Sequence, residues 1–370
     1  MDSSKSRPAS QDNFLEHKIA KVISKGGTLD FARFMDLALY HPGFGYYCKN
    51  KWVSGGQGDF YTSNDLGSTF GYLLACDIHD AWLRDGCPET YQIVECGPGM
   101  GKLAWHLIQC ITNNWPQLAQ VLKYYLVEVG DGPRKTQQWQ LAPILDGPVR
   151  IQWYSDLRQI PKIEYGTILA NELVDALPFH RIRRVSKNSL KEVRVGWETQ
   201  GFTEVLGPLS WEISRNLDVL PTLRVGEEIE LSLETKNWLR QLTQLVEHGR
   251  VLIIDYGYEL VEQQKRSLFQ GTFRCYFQHQ VDGNPYELIG DKDITADVNF
   301  TAVKTWAKRM GWSVEWYGTQ GQFIYQLMEK NKSEVSALLS TNLRQHGRAL
   351  ATLTSPGAMG DVFKVVQLKK

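Results

Sequence analysis

The chain has 370 residues, of which 42% are hydrophobic and 22% are charged, so it has the length of one large domain or two ordinary ones and the composition of a globular protein. Its 41 Lys and Arg residues balance 41 Asp and Glu residues, which leaves no overall positive field to attract nucleic acid or anionic lipid. No stretch approaches the ~18 uninterrupted apolar residues of a membrane span. We therefore expect a folded protein with no membrane span and no nucleic-acid partner.

The cysteine content and the N-terminal composition indicate the cellular compartment in which the protein is expected to work. Six cysteines form no C-x-x-C pair, so free thiols in a reducing compartment are expected instead of a zinc ribbon or a disulfide framework, and no metal site is predicted. The start lacks the apolar segment of a secretory signal, and Asp2, Asp12 and Glu16 accompany a single Arg7, unlike an Arg-rich mitochondrial presequence. We expect a disordered leader over residues 1–12 and a bacterial-type cytoplasmic protein, with the mitochondrial matrix as the alternative.

The N-terminal part is predicted to be helical. Apolar residues recur at helical spacing over residues 14–40, interrupted by Gly26-Gly27. Residues 41–71 are rich in glycine and aromatic side chains, which is typical of a surface loop that can reach over a ligand. A further helix is predicted over Phe70–Arg84. Residues 13–85 thus form an N-terminal helical region with an active-site lid loop.

From residue 86 onward, short strands alternate with helices. The predicted strands are Tyr91–Cys96, Tyr124–Glu128, 149–153 and Thr167–Ala170, and the helices between them are Lys102–Ile111 and about 133–141. Strand and helix alternating four times predict a parallel sheet with helices on both faces. The predicted fold class is therefore α/β.

An insertion interrupts this alternation over about residues 181–232. Alternating runs at Lys191–Trp197 and Gly201–Val205 predict a hairpin, so the insertion is expected to be a β-rich subdomain. A helix at 233–247 then leads into the apolar strand Val251–Gly257. The alternation of helix and strand thus resumes after the insertion.

The last predicted elements form an edge hairpin. Two alternating runs, Trp312–Tyr317 and Gln322–Leu327, are separated by Thr-Gln-Gly-Gln, a pattern that predicts two antiparallel strands at the edge of the sheet. Residues 86–330 form the expected core domain, which carries the insertion. Residues 331–370 form a C-terminal extension packing on that core.

The segment ECGPGMGK joins the first core strand to the next helix. Glycines there let the backbone approach a ligand, and free N–H groups at the helix start suit a carboxylate or phosphate. The dinucleotide fingerprint needs a small residue where Lys102 stands, because Gly101 comes one residue early. The spacing of Gly97, Gly99 and Gly101 after the acidic Glu95 is similar to that of S-adenosylmethionine sites. A glycine turn without a ligand is the alternative.

Acidic and hydroxyl side chains near this loop complete a candidate cofactor site. Glu128 ends the second strand, where a carboxylate can accept both hydroxyls of a ribose. Asp156 follows the third strand and could flank an adenine. Asp59, Thr62 and Ser63 lie in a loop that could close over a cofactor and exclude water. Solvated carboxylates and a structural turn are the alternatives.

Three polar residues follow the fourth strand, where an open parallel sheet faces its ligand crevice. Asn171, Glu172 and Asp175 are candidate catalytic residues. Two carboxylates on one side could hold a guanidinium by bidentate hydrogen bonds, keep it in line with a methyl donor and help to neutralise it as it loses a proton. The alternative is that Asp175 caps a turn while Glu172 is solvated.

Ten blocks of sequence, in order, resemble the MidA-like methyltransferases, whose mitochondrial members are complex I assembly factors. Among them are GGTLDFARFMDLALYHPGFGYY, GDFYTSNDLGSTFG, VECGPGMGKLA, ILANELVDALP and VLIIDYG, and they run from about residue 25 to residue 367. The resemblance implies a Rossmann-like, seven-stranded methyltransferase sheet, S-adenosylmethionine as cofactor, and methylation of an arginine in a complex I subunit protein to symmetric dimethylarginine.

The resemblance also implies roles for single residues. Carried over by position, the cofactor contacts would be Gly58, Asp59, Thr62, Ser63, Glu95, Gly97, Pro98, Gly99 and Glu128, and the substrate side would be lined by Asn171, Glu172 and Asp175. Two places depart from the family pattern. Met100 and Lys102 replace a usual Arg and Thr, and Val129–Arg134 replaces a usual Ser-Pro and Leu-Arg pair.

Three functions are weighed. The primary hypothesis is an arginine methyltransferase that acts on a protein substrate. The second is a non-catalytic assembly chaperone that keeps the fold but methylates nothing, and the third is a nicotinamide-dependent dehydrogenase, which Lys102 disfavours. The sequence leaves a homodimer and the identity of the acceptor open.

Overall fold

The computed structural model describes residues 14–49, 68–199, 201–263, 269, 271–278, 280–357 and 359–370. The chain divides into two compact units that each combine several stretches of sequence. The first unit combines Met1–Lys49, Ala176–Glu234 and Gln264–Ala296, and the second combines Asn50–Asp175, Thr235–Gln263 and Asp297–Lys370. The expected leader, residues 1–12, lies outside the described residues, as does much of the expected lid loop.

Helices and strands cover most of the described chain. The helices are α1 (Phe14–Gly26), α2 (Phe31–Tyr40), α3 (Ser68–Arg84), α4 (Lys102–Asn114), α5 (Pro116–Val121), α6 (Asp131–Leu141), α7 (Trp211–Ser214), α8 (Leu233–Leu245), α9 (Leu260–Gln263), α10 (Phe300–Arg309), α11 (Gln320–Lys330), α12 (Lys332–Thr341), α13 (Leu343–Thr354) and α14 (Met359–Val362). The strands are β1 (Leu29–Asp30), β2 (Tyr91–Cys96), β3 (Leu122–Val127), β4 (Arg150–Tyr154), β5 (Ile163–Asn171), β6 (His180–Ser186), β7 (Ser189–Glu198), β8 (Gly201–Gly207), β9 (Glu228–Leu231), β10 (Val246–Tyr258), β11 (Arg274–Phe277), β12 (Gln280–Asp282), β13 (Asp293–Thr295), β14 (Val298–Asn299), β15 (Ser313–Thr319) and β16 (Phe363–Lys369). In the part of the chain that is described, no helix has both the length and the apolar character needed to cross a lipid bilayer.

The second unit is built on a central sheet with strand order β15-β16-β10-β5-β2-β3-β4, and β14 pairs with the end of β10. The five strands from β10 to β4 are parallel, whereas β16 pairs antiparallel with β10, and β15 pairs antiparallel with β16 at the end of the sheet. All six residues of β2 are buried, as expected for a strand that is covered on both faces. The predicted α/β, Rossmann-like fold is therefore confirmed, with seven strands in this order and the two-residue β14 as an eighth.

Apolar side chains of α3, α4, α11 and α13 pack with those of the sheet in one hydrophobic cluster. Leu73 of α3, Leu107 of α4 and Ile93 of β2 are fully buried within it. This packing fixes the strands whose carboxyl ends carry the candidate site.

The predicted edge hairpin is wrong in its second strand. Residues 322–327 lie in helix α11, and the antiparallel partner of β15 is β16, from the end of the chain. The helix begins at a capping box, in which the Thr319 hydroxyl accepts from the N–H of Gln322 and the Gln322 side chain accepts from the N–H of Thr319. Such reciprocal bonds satisfy two N–H groups that a helix start otherwise leaves without partners, so the Thr-x-x-Gln spacing favours a helix over a turn.

The first unit contains an antiparallel sheet of order β1-β7-β6-β9, and β8 also pairs with β7. The hairpin expected in the insertion is present, and Trp197 of β7 pairs with Phe202 of β8. A second, three-stranded sheet has the order β12-β11-β13. The two-residue strand β1 was not predicted, because so short a strand between two helices leaves no periodic pattern.

Candidate active site

The glycine loop and the candidate residues after β5 come together where the strand order of the central sheet reverses. β2 and β5 are parallel neighbours, and Cys96 pairs with Ala170 near their carboxyl ends. The glycine loop after β2 and the segment after β5 therefore leave the sheet side by side. A Cβ atom placed on Gly97 would lie 2.9 Å from the Leu173 side chain, so these two segments are in contact. This is the edge at which open α/β sheets bind their ligands.

The glycine loop uses a backbone conformation that L side chains rarely adopt. The φ angles of Gly97, Gly99 and Gly101 are +68°, +54° and +78°, and only glycine takes such values without steric cost. The N–H of Gly101 donates to the oxygen of Pro98 at 2.8 Å, and α4 begins directly after Gly101. A Cβ on Gly99 would meet none of the described atoms within 4 Å. The loop is thus a tight turn that presents bare backbone at a helix start.

Glu128 follows β3 and is held by its neighbours. Its carboxylate accepts from the N–H of Gly130 at 3.0 Å and from the Gln137 amide at 3.3 Å, while the Arg134 guanidinium donates to its main-chain oxygen at 2.6 Å. Burial raises the pKa of Glu128 to about 7, against the lowering effect of these hydrogen bonds. Two residues of the segment 129–134, Gly130 and Arg134, therefore hold the residue that is the candidate for ribose binding.

The other two acidic candidates are already bonded to side chains of this chain. Glu95 is buried in β2 and accepts a hydrogen bond from the Tyr124 hydroxyl at 2.7 Å, and burial raises the pKa of Glu95 to about 8. Asp156 accepts from the main-chain N–H of Arg158 at 2.8 Å and from its guanidinium Nε at 2.9 Å, which lowers the Asp156 pKa. Asp156 thus caps a short 3₁₀ turn after β4, and its expected place beside an adenine stays a prediction.

Gln137 is a residue of this site that the sequence analysis missed. Its fully buried amide donates to the oxygen of Gly99 at 2.8 Å and to Glu128, and it accepts from the Trp153 indole N–H at 3.1 Å. One side chain of α6 therefore connects the glycine loop, the carboxylate after β3 and strand β4. The sequence could have indicated this residue, because Gln137 lies four residues from both Pro133 and Leu141 and therefore on the same buried face of the helix.

The three candidate catalytic residues lie in one short turn after β5. The Asn171 amide donates to the Glu172 carboxylate at 3.1 Å. The other amide atom of Asn171, Oδ1, is buried and has no hydrogen-bond partner among the described residues. Glu172 has a φ of +55°, a strained conformation for a non-glycine residue that costs about 1–3 kcal/mol and is concentrated at functional sites. Asp175 is buried in the same turn.

Asp255, at the end of β10, was also missed. It is fully buried, and its Oδ2 accepts from the N–H groups of Val174 at 2.8 Å and Asp175 at 3.2 Å. Burial, and then the negative charges of Asp175 and Glu172, hold the pKa of Asp255 well above its usual value. A carboxylate inside the apolar run VLIIDYG was the signal in the sequence, because an unpaired buried charge is rarely tolerated.

The four lid candidates, Gly58, Asp59, Thr62 and Ser63, lie outside the described residues. Their proposed contacts with the cofactor remain predictions.

Comparison with known proteins identifies the family. The model of a family of S-adenosyl-L-methionine-dependent methyltransferases matches residues 73–318. The chain belongs to this methyltransferase family. The resemblance to MidA-like methyltransferases is thereby confirmed. The predicted cofactor, S-adenosylmethionine, is also confirmed, which argues against the nicotinamide-dependent dehydrogenase of the third hypothesis.

Relatives and a solved structure agree with this assignment. The chain is 29% identical to the protein arginine methyltransferase NDUFAF7 homolog, mitochondrial, of Drosophila melanogaster, over 94% of this chain and 83% of the relative. It is 27% identical to protein arginine methyltransferase NDUFAF7, mitochondrial, of Danio rerio, over 95% and 86% of the two chains. Its fold is similar to that of a Burkholderia thailandensis protein crystallised with S-adenosyl-homocysteine, with a TM-score of 0.84, 24% identity, and coverage of 99% of this chain and 95% of that one.

The residues at the strand ends fit the methyl donor of this family. The glycine loop allows close approach of a ligand to its backbone. Glu128 would offer carboxylate oxygens to the hydroxyl groups of a ribose.

Proposed function

We propose that the chain is a protein arginine N-methyltransferase. The observation that carries this proposal is the set of acceptors after β5, where the carboxylates of Glu172 and Asp175 and the buried Asn171 Oδ1 lie in one turn next to the glycine loop. The curated relatives named protein arginine methyltransferase support it.

This set of acceptors matches a guanidinium group. A guanidinium is positively charged at all physiological pH values and carries five N–H donors but no acceptor. Two carboxylates can pair with it, and Asn171 Oδ1 can take a further N–H, because the Asn171 amide nitrogen is already turned toward Glu172. A lysine ammonium, as a compact charge with three donors, would leave more of these acceptors without a partner.

The residues of this chain hold the acceptor and remove its proton. When bound, S-adenosylmethionine supplies an electrophilic methyl group, whose carbon–sulfur bond breaks, with its electron pair going to sulfur, as the new nitrogen–carbon bond forms. Glu172 and Asp175 orient the guanidinium nitrogen toward that carbon. One of these carboxylates accepts the proton that the methylated nitrogen loses and passes it to solvent, so the arginine remains a monocation.

The acceptor protein is proposed to be a subunit of respiratory complex I, as the family resemblance implies. The names of the relatives favour the mitochondrial matrix over the bacterial-type cytoplasm that the N-terminal composition predicts. Fractionation of the cells that make the protein decides between the two compartments.

Methyl-labelled S-adenosylmethionine and protein extract from cells lacking this chain provide the test. The purified protein is expected to place label in methylarginine after acid hydrolysis, and Glu172→Gln is expected to lose that label while still binding S-adenosylhomocysteine in calorimetry. The non-catalytic chaperone hypothesis predicts no labelled protein with either form.

A further inference from the structure

Two residues in the second half of β10, Ile254 and Asp255, accept hydrogen bonds from the turn that carries Glu172 and Asp175. Asp255 accepts from the N–H of Val174 at 2.8 Å and from that of Asp175 at 3.2 Å. One residue earlier in β10, the oxygen of Ile254 accepts from the N–H of Glu172 at 2.9 Å. Three of the four backbone N–H groups from Glu172 to Asp175 thus donate to two successive residues of one buried strand.

Both oxygens of the Asp255 carboxylate accept from main-chain N–H groups. It is fully buried, and its second oxygen, Oδ1, accepts from the N–H of Tyr256 at 2.9 Å. A buried carboxylate is tolerated when hydrogen-bond donors surround it, and here the three donors named are all main-chain groups. An apolar residue would fill the space equally well, but it would leave the N–H groups of Val174 and Asp175 without an acceptor.

Glu172 needs this support. Its left-handed backbone conformation, with φ +55°, persists only when the surrounding structure enforces it. The bond to Ile254 fixes the first residue of the turn, and Asp255 fixes the last two. Together they fix the backbone from which the Glu172 and Asp175 side chains project.

We propose that Asp255 is a positioning residue for the methyl acceptor, which holds the turn from Val174 to Asp175 so that the carboxylates of Glu172 and Asp175 meet one cationic group. This inference rests on the proposed function, since it assumes that these two carboxylates hold the acceptor.

Two substitutions of Asp255 test whether its hydrogen bonds position the turn or whether its side chain only fills space in the core. Asp255→Asn keeps the size of the side chain but replaces one acceptor oxygen by an NH₂ group. That NH₂ group must then face a main-chain N–H, which is also a donor, so at least one hydrogen bond is lost. Asp255→Leu has no acceptor. The probe is methyl-labelled S-adenosylmethionine with protein extract from cells lacking this chain, and the readouts are the maximal rate of arginine labelling and the KM for S-adenosylmethionine.

We expect Asp255→Asn to lower the maximal rate by about tenfold to a hundredfold and Asp255→Leu to lower it further, because small misplacements of orienting groups have effects of this size. The KM for S-adenosylmethionine is expected to change by less than about twofold, since the glycine loop and Glu128 are untouched. The control is Asp77→Asn, a buried carboxylate of α3 that pairs with Arg250 at the start of β10, the opposite edge of the sheet. It is expected to lower Tm while leaving the rate unchanged.

The proposal is overturned if Asp255→Asn, at a temperature where it is folded, labels arginine at the wild-type rate. Should the variant not fold, hydrogen exchange of the wild-type protein decides, because slow exchange at the Val174 and Asp175 amides supports the anchoring and fast exchange refutes it. If the wild-type protein labels no arginine, the proposed function fails, and the same exchange measurement still tests whether Asp255 holds the turn.

Discussion

The side-chain amide of Gln137 donates a hydrogen bond to the main-chain oxygen of Gly99 at 2.8 Å. Gln137 lies in α6 and Gly99 lies in the loop after β2, so this bond ties a helix on one face of the sheet to the tip of the glycine loop. The same amide contacts Glu128 and accepts from Trp153. Gln137 therefore determines how the loop and the carboxylate face each other.

Gln137→Leu is expected to weaken binding of S-adenosylhomocysteine by about 5- to 150-fold. The reason is that the Gly99 oxygen and the Trp153 N–H lose their partner, so the glycine loop and Glu128 are no longer held in place. Ordering them again on binding is expected to cost about 1–3 kcal/mol, which is what such lost hydrogen bonds are worth. Calorimetry measures the affinity. The matched control is Gln320→Leu, another fully buried glutamine whose amide contacts main-chain oxygens, at the start of α11. Equal affinity losses in both variants would argue against a special role for Gln137.

Gly99→Ala is expected to abolish cofactor binding at a modest cost in stability. The added Cβ meets none of the described atoms within 4 Å, so the folded protein bears only the positive-φ cost of about 1–2 kcal/mol. The methyl group projects into the space that we assign to the ligand. Gly86→Ala is the control, because Gly86 also has a positive φ and open space around its Cβ, among the described atoms, but lies before β2 at the other edge of the sheet. We expect the two variants to lower Tm by similar amounts, and only Gly99→Ala to lose binding of S-adenosylhomocysteine.

Binding of S-adenosylhomocysteine is expected to weaken as the pH falls below about 7. Burial raises the pKa of Glu128 to about 7, so the carboxyl is ionised above this value and protonated below it. A protonated carboxyl accepts fewer hydroxyl donors. From the fraction ionised, Kd is expected to rise about tenfold between about pH 8 and about pH 6.

Glu128→Gln is the control for this pH effect. It is expected to bind weakly and with the same affinity across this pH range. A slope that remains in the variant would assign part of the pH effect to another group, such as Glu95, whose pKa burial raises to about 8. Wild-type affinity that is equal at both pH values would contradict the assignment of Glu128.

Glu172→Gly is expected to be more stable than Glu172→Ala, by about 0.5–1 kcal/mol. Both variants remove the carboxylate, but only glycine accepts a φ of +55° without strain. At an ordinary position the order is reversed, because glycine increases the entropy of the unfolded chain. Urea unfolding compares the two variants, and both are expected to lose arginine labelling. A more stable alanine variant would show that the backbone of Glu172 is not left-handed.

Elements whose pattern lies within a short stretch of sequence could be predicted from the sequence. Strand β2 was predicted residue for residue, because a short apolar run ends at a glycine-rich turn. The strand β16 was not predicted, since its place between β10 and β15 depends on pairing between residues far apart in the chain. The alternation of residues 322–327 predicts a strand, whereas the Thr319 capping box, which the sequence analysis did not consider, starts a helix there.

The candidate site shows the same division. The glycine loop and the residues after β5 could be named from strand ends alone, because parallel strands bring their carboxyl ends to one edge. Gln137 and Asp255 were missed, because their contacts join positions 38 residues apart for Gln137 and Gly99 and 81 residues apart for Asp255 and Val174. No local pattern records which backbone groups a buried side chain will meet.

The account is tested most directly by amino-acid analysis of protein labelled with methyl-labelled S-adenosylmethionine. Purified protein and protein extract from cells lacking this chain are incubated with the label and then hydrolysed. We predict label in methylated arginine with the wild-type protein and none with Glu172→Gln. Label in lysine or another residue, or labelling that is equal with both proteins, would contradict the assignment of the acidic turn to arginine methylation.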